Sequence, residues 1–202
     1  MVSIYDLDLT LIRVNSFKHW VIFTLILLPF NLFTFLPILR LYYHRCTGLV
    51  GRFEFKKRLT IIQSESKYWS IAGFIFSRYL CLFINKQVLK HLEQPGINII
   101  ASAAPEIYGK CLPFLDQFDH VLFSSLSDGH YIELLGDAKK VAVVNEMEDN
   151  NIEFSLLRFY TDSLEDLPLA RIVNELYVIY TEDTVFESFQ NELADIKVTL
   201  LK

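Results

Sequence analysis

Cysteine is scarce: Cys46, Cys81 and Cys111 are the three in 202 residues. They are scattered and odd in number, which excludes a disulfide framework and a zinc motif and suggests a reducing compartment. That leaves them as small core residues. The five histidines, at 19, 44, 91, 120 and 130, show no paired spacing, so no chemistry is assigned to them. There is no internal repeat and no low-complexity tract. No cleavable signal peptide is expected, because the first apolar run carries Asp6 and Asp8 and no small-residue cleavage site follows the later one.

What is plentiful is apolar surface. The chain is 52% hydrophobic with a mean hydropathy of +0.29, high for a plain soluble domain. Its length suits one core domain with an insertion. Charge is divided: residues 1–95 hold 12 Lys and Arg against 5 Asp and Glu, residues 96–202 hold 7 against 19. A basic half beside an acidic half implies two surfaces with different partners. Nucleic acid is not expected among them, since the basic region is short and adjoins an apolar segment.

The run Val2 to Tyr5 reads as a buried strand, and Asp6, Asp8 and Thr10 follow at alternate positions. If the chain stays extended, all three share one side. Two like charges so close repel. Either they cap a turn, or a divalent cation neutralises both and clamps a phosphoryl oxygen. In the second reading one carboxylate attacks phosphorus and the other handles the proton.

From Gln94-Pro95-Gly96, a strong break signal, strands and helices alternate. Ile97–Ser102 reads as a strand, Pro105–Leu115 as a helix that Pro113 closes early, and Val121–Ser124 as a strand. A turn at Asp128-Gly129 precedes His130–Leu135. Lys139–Met147 reads as a helix, Phe154–Tyr160 as a strand, Leu167–Leu176 as a helix and Tyr177–Tyr180 as a strand. This predicts an α/β, Rossmann-like, mainly parallel sheet with helices on both faces, whose ligands sit at the carboxyl ends of the strands.

Three stretches fall at such positions: Ala101-Ser102-Ala103-Ala104-Pro105, Gly136-Asp137-Ala138-Lys139-Lys140, and Thr161-Asp162-Ser163-Leu164-Glu165-Asp166. Aspartate pair, serine, lysine and aspartate pair, in that order, resemble the four motifs of the haloacid dehalogenase superfamily, and the wording looks most like its phosphoserine-phosphatase-like branch. The resemblance implies a phosphoric monoester hydrolase. Asp6 would be the nucleophile that forms an aspartyl-phosphate, and Asp8 the acid and then base. Ser102 would donate to a phosphoryl oxygen, unless it caps a helix. Mg²⁺ would be held by the Asp6 carboxylate, the Asp8 carbonyl and Asp162. Asp166 would hold a metal-bound water or orient the lysine. Lys139 fits the family spacing from Gly136. Lys140 competes with it through Val144 and Met147 at helical spacing. Leu9 departs from the family, which commonly has glycine there.

Residues 1–12 and 96–202 therefore make the predicted core, and 13–95 an inserted helical cap. Trp20 to Leu39 runs for 20 residues without a formal charge, long enough as one helix to span roughly 30 Å. Pro29, Asn31 and Pro37 argue against an unbroken helix. Asp6 must also share a sheet with Ser102 and Asp162, so a single crossing is excluded. A helix-break-helix hairpin at Pro29-Phe30-Asn31 with both ends cytoplasmic satisfies this, as does a cap helix packed on the protein itself. In Gly51 to Arg58, aromatics interleave with Arg52, Lys56, Lys57 and Arg58, a stretch suited to headgroups or to a phosphorylated substrate, or else a solvated face. Thr10, which also fixes the turn after the strand, Arg52 and Lys56 are the candidate substrate-binding residues. An apolar segment followed by a basic aromatic stretch resembles the phosphatidylglycerophosphatase C enzymes of the same branch. That implies a lipid phosphate monoester such as phosphatidylglycerophosphate at the cytoplasmic face of a membrane. The alternatives are a soluble phosphatase acting on a phosphoserine-like metabolite and a catalytically silent membrane-associated binding module.

Overall fold

Val2–Tyr5 forms the first strand, β1, and all four residues are buried. A parallel strand covered on both faces reads as a continuous apolar run. Its side chains alternate: Val2 and Ile4 enter one apolar cluster, Tyr5 the cluster on the opposite face. The computed structural model describes residues 1–92, 95–127, 129–179 and 183–201. Gln94 of the break signal, Asp128 of the predicted turn and Tyr180 at the end of the last predicted strand lie outside the described residues.

After β1 come helices α1 (Ser16–Leu27), α2 (Leu32–Cys46), α3 (Arg52–Ser64), α4 (Lys67–Leu80) and α5 (Lys86–Leu92). The chain then returns to the sheet through β2 (Ile97–Pro105), a single turn α6 (Glu106–Gly109), β3 (His120–Ser127) and β4 (His130–Ile132). Helix α7 (Asp137–Asp149), β5 (Leu157–Thr161), the single turn α8 (Leu167–Ala170), β6 (Glu175–Ile179), α9 (Asp183–Glu192) and β7 (Lys197–Leu201) complete it.

The strands form one seven-stranded sheet in the order β4-β3-β2-β1-β5-β6-β7. Every neighbouring pair is parallel except β3 and β4. From β1 the chain builds outward in one direction through β2, β3 and β4. It then returns to lay β5 on the other side of β1. That reversal puts the topological switch point at the carboxyl end of β1, where open α/β sheets bind ligands. Register keeps Tyr5, Tyr160 and Tyr177 level on adjacent strands, and their rings stack at 4.5 and 4.6 Å.

Helices cover both faces. Val143 and Met147 of α7 and Phe189 of α9 pack with Ile4 and Phe159 on one. On the other, the apolar interior runs unbroken from Tyr5 and Tyr160 through Tyr108 into Trp20, Trp69 and Phe76 of the inserted helices. Buried polar groups there are satisfied across helices: Trp20 Nε1 donates to Gln63 Oε1 at 2.9 Å, and Trp69 Nε1 to Thr34 Oγ1 at 3.1 Å.

The uncharged run breaks at Pro29 and Asn31 as predicted, but not at Pro37, which lies inside the second helix. Helix α1 ends at Leu27, Leu28–Phe30 makes one 3-10 turn, and Asn31 caps α2, its side chain accepting from Thr34 N. At 1.5 Å per residue, α1 and α2 are about 18 and 22 Å long. No helix among the described residues is long and apolar enough to cross a membrane.

Two predicted helices are much shorter than expected. The one over 105–115 stops at Gly109. A Cβ there would come within 2.9 Å of the Phe123 ring, and Pro113 cannot continue a helix. The one over 167–176 stops at Ala170, and Leu176 belongs to β6 instead. Asn174 explains this: its backbone N donates to Leu157 O, and its side chain accepts from Leu157 N, which pins the chain to the start of β5. Helix α9 and strand β7 have no counterpart in the sequence reading.

Candidate active site

Asp6 directly follows β1 and Asp162 directly follows β5. The Asp6 backbone N still donates to Tyr160 O at 3.0 Å, so the two acids leave the sheet from neighbouring strands. On the other side of β1, β2 shifts register between Ser102 and Pro105. Such an irregularity re-aims a side chain. Ser102 is buried, and its hydroxyl accepts from Ala104 N at 3.2 Å, which leaves its proton free to donate. It does not cap a helix: the N-cap of α6 is Pro105.

The lysine comes from α7. Gly136 precedes that helix at φ +57°, ψ −126°, a backbone that favours glycine, and Lys139 follows in the first turn. Its ammonium is buried, 2.9 Å from Asp6 Oδ1 and 2.6 Å from Asp166 Oδ1. The second Asp166 oxygen accepts from Thr161 Oγ1 at 2.7 Å. One Asp166 oxygen is thus held by Thr161 while the other faces the Lys139 ammonium. Lys140 points elsewhere: it is partly exposed and makes no ion pair among the described residues.

Asp8 lies past the turn. Its Oδ1 accepts from Ser16 N at 3.0 Å, which ties it to the start of α1. Leu9 between the acids has φ +55°, the left-handed region where a non-glycine residue costs about 1–2 kcal/mol. Thr10 is not part of the site. Its N donates to Leu7 O, fixing the turn, but its hydroxyl is buried without a partner. The chain turns after Tyr5 instead of staying extended, so Asp6 and Asp8 face one cavity and Thr10 does not join them.

Asp6, Asp8, Ser102, Lys139, Asp162 and Asp166 line one cavity of about 100 Å³. At roughly 30 Å³ per water, it has room for a phosphoryl group and an ion. Burial pushes the Asp6 carboxyl up to about 7; Lys139 opposes this and Asp166 and Asp8 add to it. Asp162 rises to about 8, first from burial, then from Asp6 and Asp166. Burial also raises Asp8, against the Ser16 hydrogen bonds. Burial disfavours the Lys139 ammonium, but Asp166 and Asp6 outweigh it and hold its value above the ordinary one.

Four aspartates around one ammonium leave negative charge uncompensated, and the donors are all oxygen, which suits a hard cation. Among the described residues, no three Asp, Glu, His or Cys side chains form a closed metal cluster. Mg²⁺ needs less: it usually keeps several waters and takes one or two carboxylates. The residues present fit it on those terms.

The predicted basic residues divide. Arg52 stands at the mouth, about half exposed, 3.4 Å from Glu165. Lys56 is buried: its Nζ donates to Ala103 O at 2.5 Å and pairs with Glu133 at 2.6 Å. It braces the loop beside Ser102 and also lines the larger cavity that adjoins the site. Lys57 and Arg58 both pair with Glu54 on the surface. Sequence reasoning missed Glu133, which nothing local marks as a partner for a lysine 77 residues away. It also missed Thr161, whose hydroxyl directly precedes Asp162 and was open to notice.

A second cavity of about 740 Å³ adjoins the first, sharing Asp8, Asn15, Arg52, Ala103 and Glu165 with it. Beyond these its walls are Phe17, Val21, Ile22, Tyr42, Cys46 and Phe55, with Lys18, Arg45 and Lys56 among them. It leads from the carboxylates outward between α1, α2 and α3.

This sheet order, switch point and inserted helical segment define the haloacid dehalogenase fold, in its phosphoserine-phosphatase-like form. Solved structures agree. A protein of unknown function from Bordetella pertussis Tohama I superposes with a TM-score of 0.76 at 16% identity, over 98% of this chain and 97% of that one. A probable phosphoserine phosphatase from Vibrio cholerae gives 0.65 at 9% identity, over 100% of this chain and 60% of that one. A phospho-aspartyl intermediate analogue of a phosphoserine phosphatase gives 0.59 at 10% identity, over 100% and 93%. No protein-family model and no curated protein sequence matches the chain.

Proposed function

We propose that this protein is a Mg²⁺-dependent phosphomonoesterase that works through Asp6 on a lipid phosphate at a membrane surface. The observation that carries the chemistry is the convergence of Asp6, Asp8, Ser102, Lys139 and Asp162 on one phosphoryl-sized cavity. An Asp6 oxygen attacks phosphorus and the ester P–O bond breaks. Asp8 gives its proton to the departing alkoxide, and its raised affinity for a proton suits that role. Asp8 then takes a proton from water as the water oxygen attacks the aspartyl-phosphate. Inorganic phosphate leaves and Asp6 is regenerated. Ser102 and Lys139 hold the phosphoryl oxygens and offset their charge. The Asp6 carboxylate, the Asp8 carbonyl and Asp162 would hold Mg²⁺, which supplies further neutralisation of the transferring group.

The lipid reading rests on the hairpin. Phe30, Leu32, Phe33 and Leu36 are 76, 81, 96 and 70% exposed, and Ile22 and Ile26 of α1 are exposed as well. Contiguous exposed apolar surface marks a binding surface. Ile22 also lines the larger cavity, so an apolar tail has a path from the carboxylates to that face. Phosphatidylglycerophosphate, with the protein at the cytoplasmic face, is the substrate the reading favours. Phosphoserine phosphatases among the similar structures support a second reading, a soluble monoester.

A phosphate-release screen tests both. Aryl phosphate should be hydrolysed with Mg²⁺ and spared with EDTA or after Asp6→Asn. Activity unaffected by either EDTA or Asp6→Asn would sink the reading, and no phosphate release from any substrate would leave a silent binding module. Micellar phosphatidylglycerophosphate and phosphatidate should outrun phosphoserine; turnover of soluble monoesters alone would replace the lipid reading and keep the phosphatase.

A further inference from the structure

On the other side of α2 from the substrate path lies a groove that the proposed chemistry does not use. It is a cavity of about 550 Å³ between α2 and α3, with Leu36, Pro37 and Ile62 on its walls and Arg40, His44 and Arg58 beside them. Arg40 and His44 make no ion pair among the described residues, and Arg58 is held only by the exposed Glu54. Exposed pairs of that kind exchange readily for another anion.

The position of these cations relative to the apolar tip is the telling feature. Phe33, Leu36, Arg40 and His44 follow one another along α2 at helical spacing. Seven residues separate Phe33 from Arg40, which is about 10 Å at 1.5 Å per residue. With α2 upright and its tip toward the membrane, that separation is a depth, and Phe33 lies about 10 Å below Arg40. With the tip immersed to that depth, Arg40 stands level with the lipid phosphates, and Leu36, a wall of the groove, stays among the upper methylenes.

We infer that the groove lined by Arg40, His44 and Arg58 is a docking site for the phosphate headgroup of an anionic phospholipid, separate from the catalytic cavity. It rests on the reading that the hairpin works at a membrane surface, and it adds a headgroup preference to that contact. The lipid bound here is not turned over, because the groove holds no carboxylate nucleophile. Its role is to fix the height and tilt of the cap while a substrate reaches Asp6 from the other side of α2.

Vesicle co-sedimentation tests this, with phosphatidylcholine vesicles against vesicles containing 30% (roughly, within the anionic range of natural leaflets) phosphatidylglycerol. The full chain should bind the anionic vesicles more tightly. Arg40→Gln with Arg58→Gln should lower that affinity about fivefold for each cation removed and leave binding to neutral vesicles as it was. Lys86→Gln with Lys90→Gln removes the same charge from the exposed side of α5. An equal loss in that control would mean diffuse attraction and would overturn the site. So would equal binding of wild type to both vesicle types, or displacement by millimolar inorganic phosphate. Phe33→Glu separates the two claims. Unchanged binding to all vesicles after Phe33→Glu sinks the membrane reading itself, whereas loss of the anionic preference alone on Arg40→Gln with Arg58→Gln supports the groove.

Discussion

The Lys139 ammonium lies 2.9 Å from Asp6 Oδ1, a contact between residues 133 positions apart in the chain. It favours Lys139 over Lys140 as the lysine that serves the proposed site. Lys139→Ala should lower kcat with aryl phosphate by about 10²–10³, the cost of removing one charge-stabilising donor. Lys140→Ala should stay within about twofold. Steady-state kinetics on both variants checks this, and a larger loss for Lys140→Ala would reverse the assignment.

Asp6 and Asp162 give a pH signature to the metal-free protein. Both hold their protons up to about 7 and about 8, against about 4 in the unfolded chain. The folded state therefore binds more protons over that interval. The stability these protons confer is complete below about 4 and is lost as pH rises through 7 to 8. Mg²⁺ competes with the same protons, so its stabilisation should run the other way. The Tm increase on adding Mg²⁺ should be larger at pH 8 than at pH 5.5. Differential scanning fluorimetry at the two pH values decides it, and a larger increase at pH 5.5 would contradict the assignment of these acids as ligands.

Lys56 and Glu133 join the inserted helices to the sheet by a buried ion pair, with side chains 3 and 8% exposed. Burial lowers the proton affinity of Lys56, and Glu133 works against that. Removing one partner strands the other, at a cost of about 3–5 kcal/mol. Lys56→Met and Glu133→Leu should each destabilise on that scale, and the double variant should be more stable than their sum predicts. Denaturant titration of the three variants measures the coupling. Additive losses would show that the pair contributes nothing beyond its separate parts.

The sequence discloses what is local and hides what is assembled over distance. Val2 to Tyr5 is legible as a buried strand because both its faces are covered. Asp6 and Asp162 are legible because each directly follows a strand, and Ser102 because it closes the apolar run of its strand, which continues to Pro105. The hairpin at Pro29 to Asn31 is legible because proline and an asparagine cap act within one turn. Lys56 is not: its spacing among aromatics reads as a surface for phosphate, whereas Glu133 and Ala103 claim it from across the fold. Thr10 misleads because the alternation argument holds only while the chain is extended, and Leu9 with its positive φ turns it. The short turns at 106–109 and 167–170 look like full helices because their truncation comes from Phe123 and Leu157, partners that local propensity does not see.

Phe33 bears on the substrate more directly than any residue in the cavity. At 96% exposure it contributes nothing to the core, so Leu32→Ser with Phe33→Ser should change stability by no more than about 0.5 kcal/mol per site. If the hairpin tip enters an interface, each side chain instead gains part of the roughly 1.5–3 kcal/mol of full apolar burial. Losing half of that at both positions amounts to about 1.5–3 kcal/mol, or a drop of roughly 10- to 150-fold in kcat/KM toward micellar lipid phosphate. Aryl phosphate, which needs only the inner cavity, should be hydrolysed at the same rate by the variant and the wild type. Parallel loss on both substrates would mean that the tip supports the fold, and no loss on either would mean that the substrate is delivered from solution.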